Sequence, residues 1–219
     1  LSKERNNTLF VVGDTPMRLP GTGTDLTTWA TNNGGLGLKT EDGLVTTSNY
    51  MATFYPSCTT TDLTGTTVVT APSHMMVRTI IRSDEVSYPW LAPAGTRRGL
   101  IDNASAVGYV DGTTGQFIAI GVTQGLRDVM YDNKINPITN LPPQGLLVYG
   151  QKTLSADPSA LDRVNVARLI NYVRKTIDAS VRPFLFEPND TITRAQVIAV
   201  INSILNDLVA KRGVTDYLV

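Results

Sequence analysis

The clearest hydrophobic pattern lies in the last third of the chain, where two segments carry apolar residues at helical spacing. A first helix is predicted at about residues 159–180, because its apolar side chains fall within one arc of roughly 100°. These side chains are Val166, Leu169, Ile170, Val173 and Ile177. A second helix is predicted to begin near Asp190 or Thr191, since either side chain can accept hydrogen bonds from the free N–H groups of a first turn. Its apolar residues keep the helical spacing throughout: Val197, Val200, Ile201, Ile204, Leu205, Leu208 and Val209.

The flanking residues complete this pattern. Lys211 and Arg212 lie where the helix dipole favours cations, and Gly213 predicts a left-handed stop after the second helix. Between the helices, the apolar run PFLFEP at 183–188 predicts a short strand. The resulting order is strand, helix, strand, helix and the beginning of another strand, which is typical of a small α/β layer.

Shorter elements are predicted upstream from apolar runs, alternation and turn signals. Strands are predicted at 6–14, 49–56, 65–70, 116–122 and 145–154, and helices at 74–85 and 125–135. The helix at 74–85 would turn Met75, Met76, Thr79 and Ile80 to one side. Residues 15–48, rich in Gly, Thr and Asn, predict a surface excursion with a short helix near 26–30. Proline and glycine in the segment 87–103 break regular structure, and we therefore predict two domains, 1–90 and 91–219.

Composition narrows the function classes. Apolar residues make up 42% of the chain and charged residues 17%, which predicts a folded protein whose surface relies on neutral polar groups. The 19 basic and 19 acidic residues give a net charge of zero. This balance argues against a nucleic acid or an anionic membrane as partner, and it lets copies pack side by side with little repulsion. No run approaches the roughly 20 apolar residues that a membrane span needs.

Residues that could carry chemistry are few. A nucleophilic Ser or Cys usually needs a histidine base, and the single histidine, His74, stands in no catalytic motif and is interpreted as a helix-start residue. Cys58 has no basic neighbour in sequence and is interpreted as a structural thiol. Asp128 with Asp132, or Glu41 with Asp42, could hold a hard cation only weakly, and solvated turns explain them better. We predict a protein that is not an enzyme and has no cofactor or metal.

Seven short strings occur in one order over roughly residues 48–219. They are Ser48-Asn49-Tyr50 to Tyr55-Pro56, Ala71-Pro72-Ser73, Trp90-Leu91-Ala92-Pro93-Ala94-Gly95, Ile135-Asn136-Pro137-Ile138, Tyr149-Gly150-Gln151-Lys152-Thr153-Leu154, Arg163-Val164-Asn165-Val166-Ala167-Arg168 and Phe186-Glu187-Pro188-Asn189-Asp190. No single string is specific, but their order resembles that of the contractile phage tail sheath proteins.

The resemblance implies an α/β fold in two parts. Residues 1–90 would be the C-terminal part of a subtilisin-like sheath domain without protease function. Residues 91–219 would be a small C-terminal sheath domain, truncated at its end, with two amphipathic helices packed on a sheet. The chain starts without an initiator Met, and we expect it to be the C-terminal half of a longer sheath subunit.

The implied function is structural. A sheath subunit polymerises around the tail tube and contracts to drive the tube through the host envelope. The implied partners are other sheath subunits, joined by strand exchange, the tail tube protein, and the baseplate and tail terminator proteins. Neither a membrane nor a nucleic acid is implied. The expected location is the virion tail, with assembly in the host cytoplasm.

Two groups of residues are candidates for these roles. Cations on the two helices are candidates for contact with the tube or a neighbour, with a solvated helix face as the alternative: Arg163, Arg168, Arg174, Lys175, Lys211 and Arg212. Residues of the matching strings are expected to have structural roles: Trp90, Ala92, Pro93, Gly95, Asn136, Pro137, Gly150, Lys152, Thr153, Leu154, Asn165, Phe186, Glu187, Pro188, Asn189 and Asp190. Of these, Trp90 is expected to fill a domain junction.

Three other functions remain open. The sheath of a related bacterial contractile injection particle would share the C-terminal pattern. A subtilisin-like hydrolase would need His74 in a triad. A monomeric carbohydrate-binding module would need clustered exposed aromatic side chains, whereas the 7% aromatic residues are scattered along the chain.

Overall fold

A computed structural model describes residues 8–31 and 48–219. Glu41 and Asp42, named above as a weak cation pair, lie outside the described residues. The strands are β1 (Val11–Asp14), β2 (Met51–Tyr55), β3 (Ser57–Thr61), β4 (Thr67–Thr70), β5 (Ala106–Val110), β6 (Phe117–Ala119), β7 (Ile135–Leu141) and β8 (Gly145–Val148). The helices are α1 (Gly23–Thr31), α2 (Pro72–Val86), α3 (Gly95–Arg98), α4 (Gln124–Asp132), α5 (Val164–Val181) and α6 (Thr191–Ala210).

The first sheet has the order β1-β2-β7-β8. The pairs β1–β2 and β2–β7 are parallel, and β8 returns antiparallel to β7 through a short hairpin. Every residue of β2 is buried, as expected for a central parallel strand covered on both faces. Helices α1 and α4 pack on each other and α2 packs on β1 and β2, so these three helices cover the sheet.

The second sheet is antiparallel, with the order β4-β3-β5-β6. The chain passes from the first sheet to the second at Pro56, because β2 ends at Tyr55 and β3 begins at Ser57. Gly108 of β5 permits the close approach of β6, since a Cβ at this position would lie 2.1 Å from the carbonyl oxygen of Ile118.

Both sheets combine strands from the two sides of residue 90. Strand β7 completes the first sheet beside β2, and strand β5 lies beside β3 in the second. The boundary between 1–90 and 91–219 therefore does not separate the sheets. The sequence signal for that boundary, proline and glycine at 89–95, marks a loop between α2 and α3 instead. One main core joins the sheets and helices, and its largest buried side chains include Trp29, Phe54, Tyr55, Met75 and Met76.

Helices α5 and α6 form a smaller two-helix unit. They pack on each other, and a separate apolar cluster at their base contains Trp90, Leu169 and Leu208. The α/β class is confirmed, but the predicted packing of both helices on a sheet needs correction. The first residue of α5, Val164, belongs to the main core, whereas Leu208 is the single buried residue of α6.

Two local predictions in this unit are wrong. Residues 183–188 do not form a strand, because a 3-10 turn at Arg182–Phe184 leads directly into the turn before α6. The left-handed residue after α6 is Arg212, with φ 61°, and Gly213 instead donates its N–H to the Leu208 carbonyl. The predicted helix start is confirmed: Asp190 caps α6 by accepting a 2.7 Å hydrogen bond from the Thr193 N–H.

Helix α6 is apolar yet largely exposed. Its length and composition alone would allow it to cross a membrane, with a mean hydropathy of 1.2. The sequence did not predict this, because polar residues interrupt every apolar run in the helix. A helix that presents apolar side chains to a protein partner has the same composition. Ile192 and Ile198 on α6, and Leu185 and Phe186 in the turn before it, are exposed.

Candidate functional site

Asn136 is a motif residue of β7 that is fully buried and makes three hydrogen bonds through its side chain. Its Nδ2 donates to the Thr53 carbonyl at 3.0 Å and to the Lys152 carbonyl at 2.8 Å, and its Oδ1 accepts from the Lys152 N–H at 2.6 Å. The side-chain amide thus pairs with both backbone groups of Lys152, as a neighbouring strand would. A Cβ on Gly150 would lie 2.8 Å from Asn136 Oδ1, so glycine is needed beside this amide.

The segment that Asn136 holds continues into the core. Thr153 donates its N–H to the Asp162 carbonyl and its hydroxyl to the Leu161 carbonyl, both at 2.8 Å. Leu154 is fully buried, and its N–H donates to the Met51 carbonyl at 2.9 Å. These contacts give the string from Gly150 to Leu154 a structural role: it ties β2 to the start of α5.

An open groove of about 680 Å³ lies against this segment. Residues of α4 line one side, and Ala92 with Gly95 at the start of α3 lines another. Pro137 and the segment 149–151 complete the lining. Arg163 also lines it. The groove is open to solvent, since Tyr149 is 48% exposed.

Cations and aromatic rings alternate around the groove. The Arg127 guanidinium lies 5.4 Å from the centroid of the Tyr149 ring. Lys152 Nζ lies 3.9 Å from the centroid of the Tyr131 ring, and Arg163 donates to the Tyr131 hydroxyl. Arg163 also pairs with Asp162 at 3.0 Å. The face of each ring thus carries a cation at a distance at which the ring quadrupole attracts it.

Trp90 occupies the junction between the main core and the two-helix unit. Its ring stacks on Tyr88 with centroids 5.0 Å apart and meets Tyr172 of α5 edge-on at 5.2 Å. Its Nε1 donates to the Lys211 carbonyl, and its own carbonyl accepts from Asn165. These contacts explain how Trp90 and Asn165 tie the loop after α2 to both helices. Pro93, which follows in the same loop, is buried, and Arg98 donates to the Ala92 carbonyl.

The six candidate cations do not form one face. Arg163 precedes α5 and lies at the groove, whereas Arg168 is 11% exposed and pairs with Asp84 of α2 at 2.5 Å. The solvated helix face, given as the alternative to a tube contact, therefore does not apply to Arg168, because this side chain pairs with Asp84 of α2. The others are more exposed: Arg174 lies 6.0 Å from the Tyr50 ring centroid, Lys211 pairs with Asp207, and Lys175 and Arg212 are exposed.

The string from Phe186 to Asp190 forms the tip of the two-helix unit. Phe186 is 95% exposed, and Glu187 donates its N–H to the Phe184 carbonyl. Asn189 accepts from Arg194, and Asp190 caps α6 as described. Hydrogen bonding to the Thr193 N–H keeps the pKa of the Asp190 carboxyl below its usual value. The tip is thus a hydrogen-bonded turn that presents an aromatic side chain to solvent.

His74 lies on the exposed surface of α2, beside Val77 and Ile81 in a shallow depression. The neighbouring Ser73 donates its hydroxyl to Asp14 at 2.7 Å, and Asp14 also accepts the Ser73 N–H. Asp14 therefore accepts two hydrogen bonds from Ser73 at the start of α2, and the Ser73 hydroxyl is bonded to this carboxylate and not to a histidine. Among residues 8–31 and 48–219, no three His, Cys, Asp or Glu side chains are grouped as a metal site requires.

Cys58 is a free thiol in β3, fully buried between the sheets and helices. Burial raises the pKa of this thiol from its ordinary value near 9 to about 12, because the thiolate is poorly solvated there. A reactive cysteine needs the opposite shift. The environment of Cys58 is thus that of a structural thiol.

The thiol should make the stability of the chain depend on pH above 9. The thiol of the unfolded chain loses its proton from about pH 9, and the folded thiol only near pH 12. Deprotonation above pH 9 therefore favours the unfolded state. The unfolding free energy is unaffected by this thiol below pH 9 and falls as the pH rises towards 12. Between pH 8 and pH 10 we expect a loss of about 1.4 kcal/mol of unfolding free energy through this group. Urea unfolding of the chain and of Cys58→Ala at both pH values separates the contribution of Cys58 from that of other groups. Equal losses of unfolding free energy in the two proteins would contradict the prediction.

The amino-acid sequence of the chain is similar to those of several known proteins. The tail sheath protein of Vibrio phage KVP40 is 35% identical over 137 residues, and that of Enterobacteria phage T4 is 36% identical over 138 residues. Each match covers 63% of this chain and 19% of the relative. The matched region is related to the tail sheath proteins of phages. A third relative, the tail sheath protein of Salmonella phage ViI, is 32% identical over 114 residues, or 52% of this chain and 16% of the relative.

The chain thus spans about a fifth of the length of the tail sheath proteins it matches. No sequence profile of a protein family matches it.

Solved sheath structures share the fold. The sheath complex of an extracellular contractile injection system, PVC, in the contracted state superposes with a TM-score of 0.65 over 96% of this chain and 50% of that chain, at 23% identity. The contracted helical sheath of the anti-feeding prophage (AFP) gives 0.60 over 74% of this chain and 41% of that chain, at 24% identity. The predicted resemblance to sheath proteins is thereby confirmed in sequence and in fold.

Proposed function

We propose that this chain is part of a structural subunit of a contractile phage tail sheath, which polymerises around the tail tube and shortens to drive the tube through the host envelope. The observation that carries the proposal is the relation to three phage tail sheath proteins at 32–36% identity. The placement of the motif residues supports it. Asn136 and Thr153 hold strands and helices together through hydrogen bonds, and Gly150 leaves room for the Asn136 amide.

A bacterial contractile injection particle is the second candidate. The sheaths of AFP and PVC share the fold over 74% and 96% of this chain. The three curated relatives all come from phages and are more similar in sequence, which favours the phage tail. A hydrolase is disfavoured because the three relatives in sequence are all tail sheath proteins.

The proposed partners are further sheath subunits, the tail tube protein, and the baseplate and tail terminator proteins. The two-helix unit is the proposed contact surface, because Phe186 and Ile192 at its tip are exposed apolar side chains. Among the candidate cations, Lys175 and Arg212 are exposed and suit contact with an acidic surface of the tube or a neighbour. In this proposal the two sheets form the body of the subunit and the two-helix unit forms its contact surface. These two parts replace the predicted domains 1–90 and 91–219.

Immunogold electron microscopy tests the proposal directly. Antibodies raised against the 219-residue chain are applied to particles from the phage or bacterium whose genome encodes the chain. We expect gold along the whole tail of extended particles, confined after contraction to the shortened outer cylinder with the protruding tube bare. Antibody absorbed beforehand with the chain is the control and should remove the label.

The other outcomes discriminate between the candidates. Gold on contractile cylinders that carry no capsid would favour the bacterial injection particle. Gold on capsids, on tail fibres or on no particle at all would refute a sheath role in either kind of particle.

A further inference from the structure

The groove beside α4 has donors and an acceptor that the folded chain leaves partly unused. The described contacts of the Arg127 side chain are one hydrogen bond, from Nη1 to the Val122 carbonyl at 3.3 Å, and the stacking on Tyr149. A guanidinium carries five N–H donors, so Arg127 keeps several for a ligand. Gln151, by contrast, lacks a donor: its Oε1 is buried without a hydrogen-bond partner in the described part of the chain. A buried acceptor without a donor is costly. Gln151 also lines the groove, so a rotation of its side-chain amide towards the groove would let Oε1 accept an N–H from a ligand and remove that cost.

The charges around the groove favour an anion. Arg127 and Arg163 line it, and Lys152 lies behind the lining, over the Tyr131 ring and donating to the Tyr131 carbonyl at 3.1 Å. Against these three cations stand two carboxylates, Asp128 in the lining and Asp162 in its ion pair with Arg163. The planar guanidinium of arginine matches a carboxylate with two parallel hydrogen bonds.

We propose that the groove binds an extended segment of a partner protein through an aspartate or glutamate side chain. The carboxylate binds at Arg127 and Arg163, a backbone N–H of the segment donates to Gln151 Oε1, and the side chain beside the acidic residue lies against Tyr149. A peptide supplies the carboxylate and the N–H together, whereas a small dicarboxylate supplies no donor for Gln151. The volume of about 680 Å³ lies within the usual range for ligand sites.

Titration of the ¹⁵N-labelled chain with short peptides tests the site. The probes are acetyl-Ala-Glu-Leu-Ala-amide, the matched peptide with Gln in place of Glu, and glutarate. We expect the Glu peptide to shift the backbone signals of Gly95 and Gly150 and the side-chain amide of Gln151, and to bind about tenfold more tightly than the Gln peptide.

Variants separate the groups. Arg127→Gln should weaken the Glu peptide about tenfold, and Asp128→Asn should strengthen it severalfold because a lining carboxylate is removed. The opposite sign of the second change cannot arise from misfolding. Gln151→Leu should abolish the preference for the peptide over glutarate, and Arg182→Gln, an exposed arginine on the far end of α5, should leave all affinities unchanged.

Three results would overturn the proposal. Equal binding of the Glu and Gln peptides would exclude carboxylate recognition. Equal binding of glutarate and the Glu peptide would make the groove a site for free carboxylates instead of a protein segment. Absence of shifts at Gly95, Gly150 and Gln151 at millimolar peptide would show that the groove is not a site for such a segment.

Discussion

Replacing Asn136 by leucine should lower the unfolding free energy of the chain by about 4 kcal/mol. Leucine has a similar size, so the change leaves little cavity, and the expected loss is one of hydrogen bonding. Three backbone groups lose the hydrogen bond to this amide: the Thr53 carbonyl, which is buried, and the carbonyl and N–H of Lys152, which are partly buried. A buried polar group left without a partner costs about 1–3 kcal/mol.

Urea unfolding of the chain followed by circular dichroism measures this loss. Asn140→Leu is the matched control, because Asn140 lies on the same strand, β7, with its side chain exposed. The control should change stability by no more than about 0.5 kcal/mol. Similar midpoints for the two variants would show that the Asn136 amide does not hold the strands together.

Strand β7 itself could not be predicted from local sequence. Proline removes a ladder hydrogen bond and argues against a central strand, yet Pro137 lies inside β7 between β2 and β8. The structure tolerates it because Tyr55↔Pro137 is the last pair in the register with β2, so the missing donor falls where that ladder ends. On the other side, Pro137 still accepts the Tyr149 N–H through its carbonyl at 2.8 Å.

Strand β3 was missed for a different reason. Its sequence, Ser57–Thr61, is polar and shows no alternation, so hydrophobic periodicity gives no signal. The hydroxyl groups find partners across the sheet instead: Thr59 bonds the Ser105 hydroxyl at 2.9 Å, and Thr60 donates to the Asn103 carbonyl at 2.6 Å. These partners lie more than 40 residues away in sequence, and only the assembled sheet reveals them.

The long helices were predictable because their apolar spacing extends over several turns. Both α5 and α6 begin within about five residues of the predicted starts, and the Asp190 cap was read from one side chain. The apolar run at 183–188 shows the limit of the same argument, since so short a run does not distinguish a strand from a turn that exposes Phe186. Within the candidate site, the motif strings named Asn136, Gly150 and Lys152 but not the contacts among them. Arg127 and Tyr131 of the groove were missed, because no local pattern marks them.

Breaking the ion pair between Asp84 and Arg168 should cost about 3 kcal/mol, the lower end for a buried pair, because Asp84 is 30% exposed. The pair joins α2 of the main body to α5 of the two-helix unit, 84 residues apart in sequence. Asp84 Oδ1 and Arg168 Nη1 have no hydrogen-bond partner within the described residues. Arg168→Met would therefore leave a partly buried carboxylate with no partner, and Asp84→Leu a buried guanidinium.

A double-mutant cycle separates the interaction from the cost of burial. The double variant Asp84→Leu with Arg168→Met should return to within about 1 kcal/mol of the unmodified chain, because two apolar side chains fill the contact without unpaired charge. The coupling energy, which is the sum of the two single losses minus the loss in the double variant, should then be about 5–6 kcal/mol. The exposed pair Asp178 and Arg182, at the end of α5, should give less than about 0.5 kcal/mol.

The location of the loss matters as much as its size. In each single variant, hydrogen exchange should accelerate in α5 and α6 while β2 and β7 keep their protection, because the pair holds the small two-helix unit and not the sheets. Uniform acceleration across both sheets would instead mean that the two helices open only with the whole chain. Loss of the pair would then destabilise one cooperative body, in which Trp90 and its cluster bind the helices as firmly as the main core binds its strands.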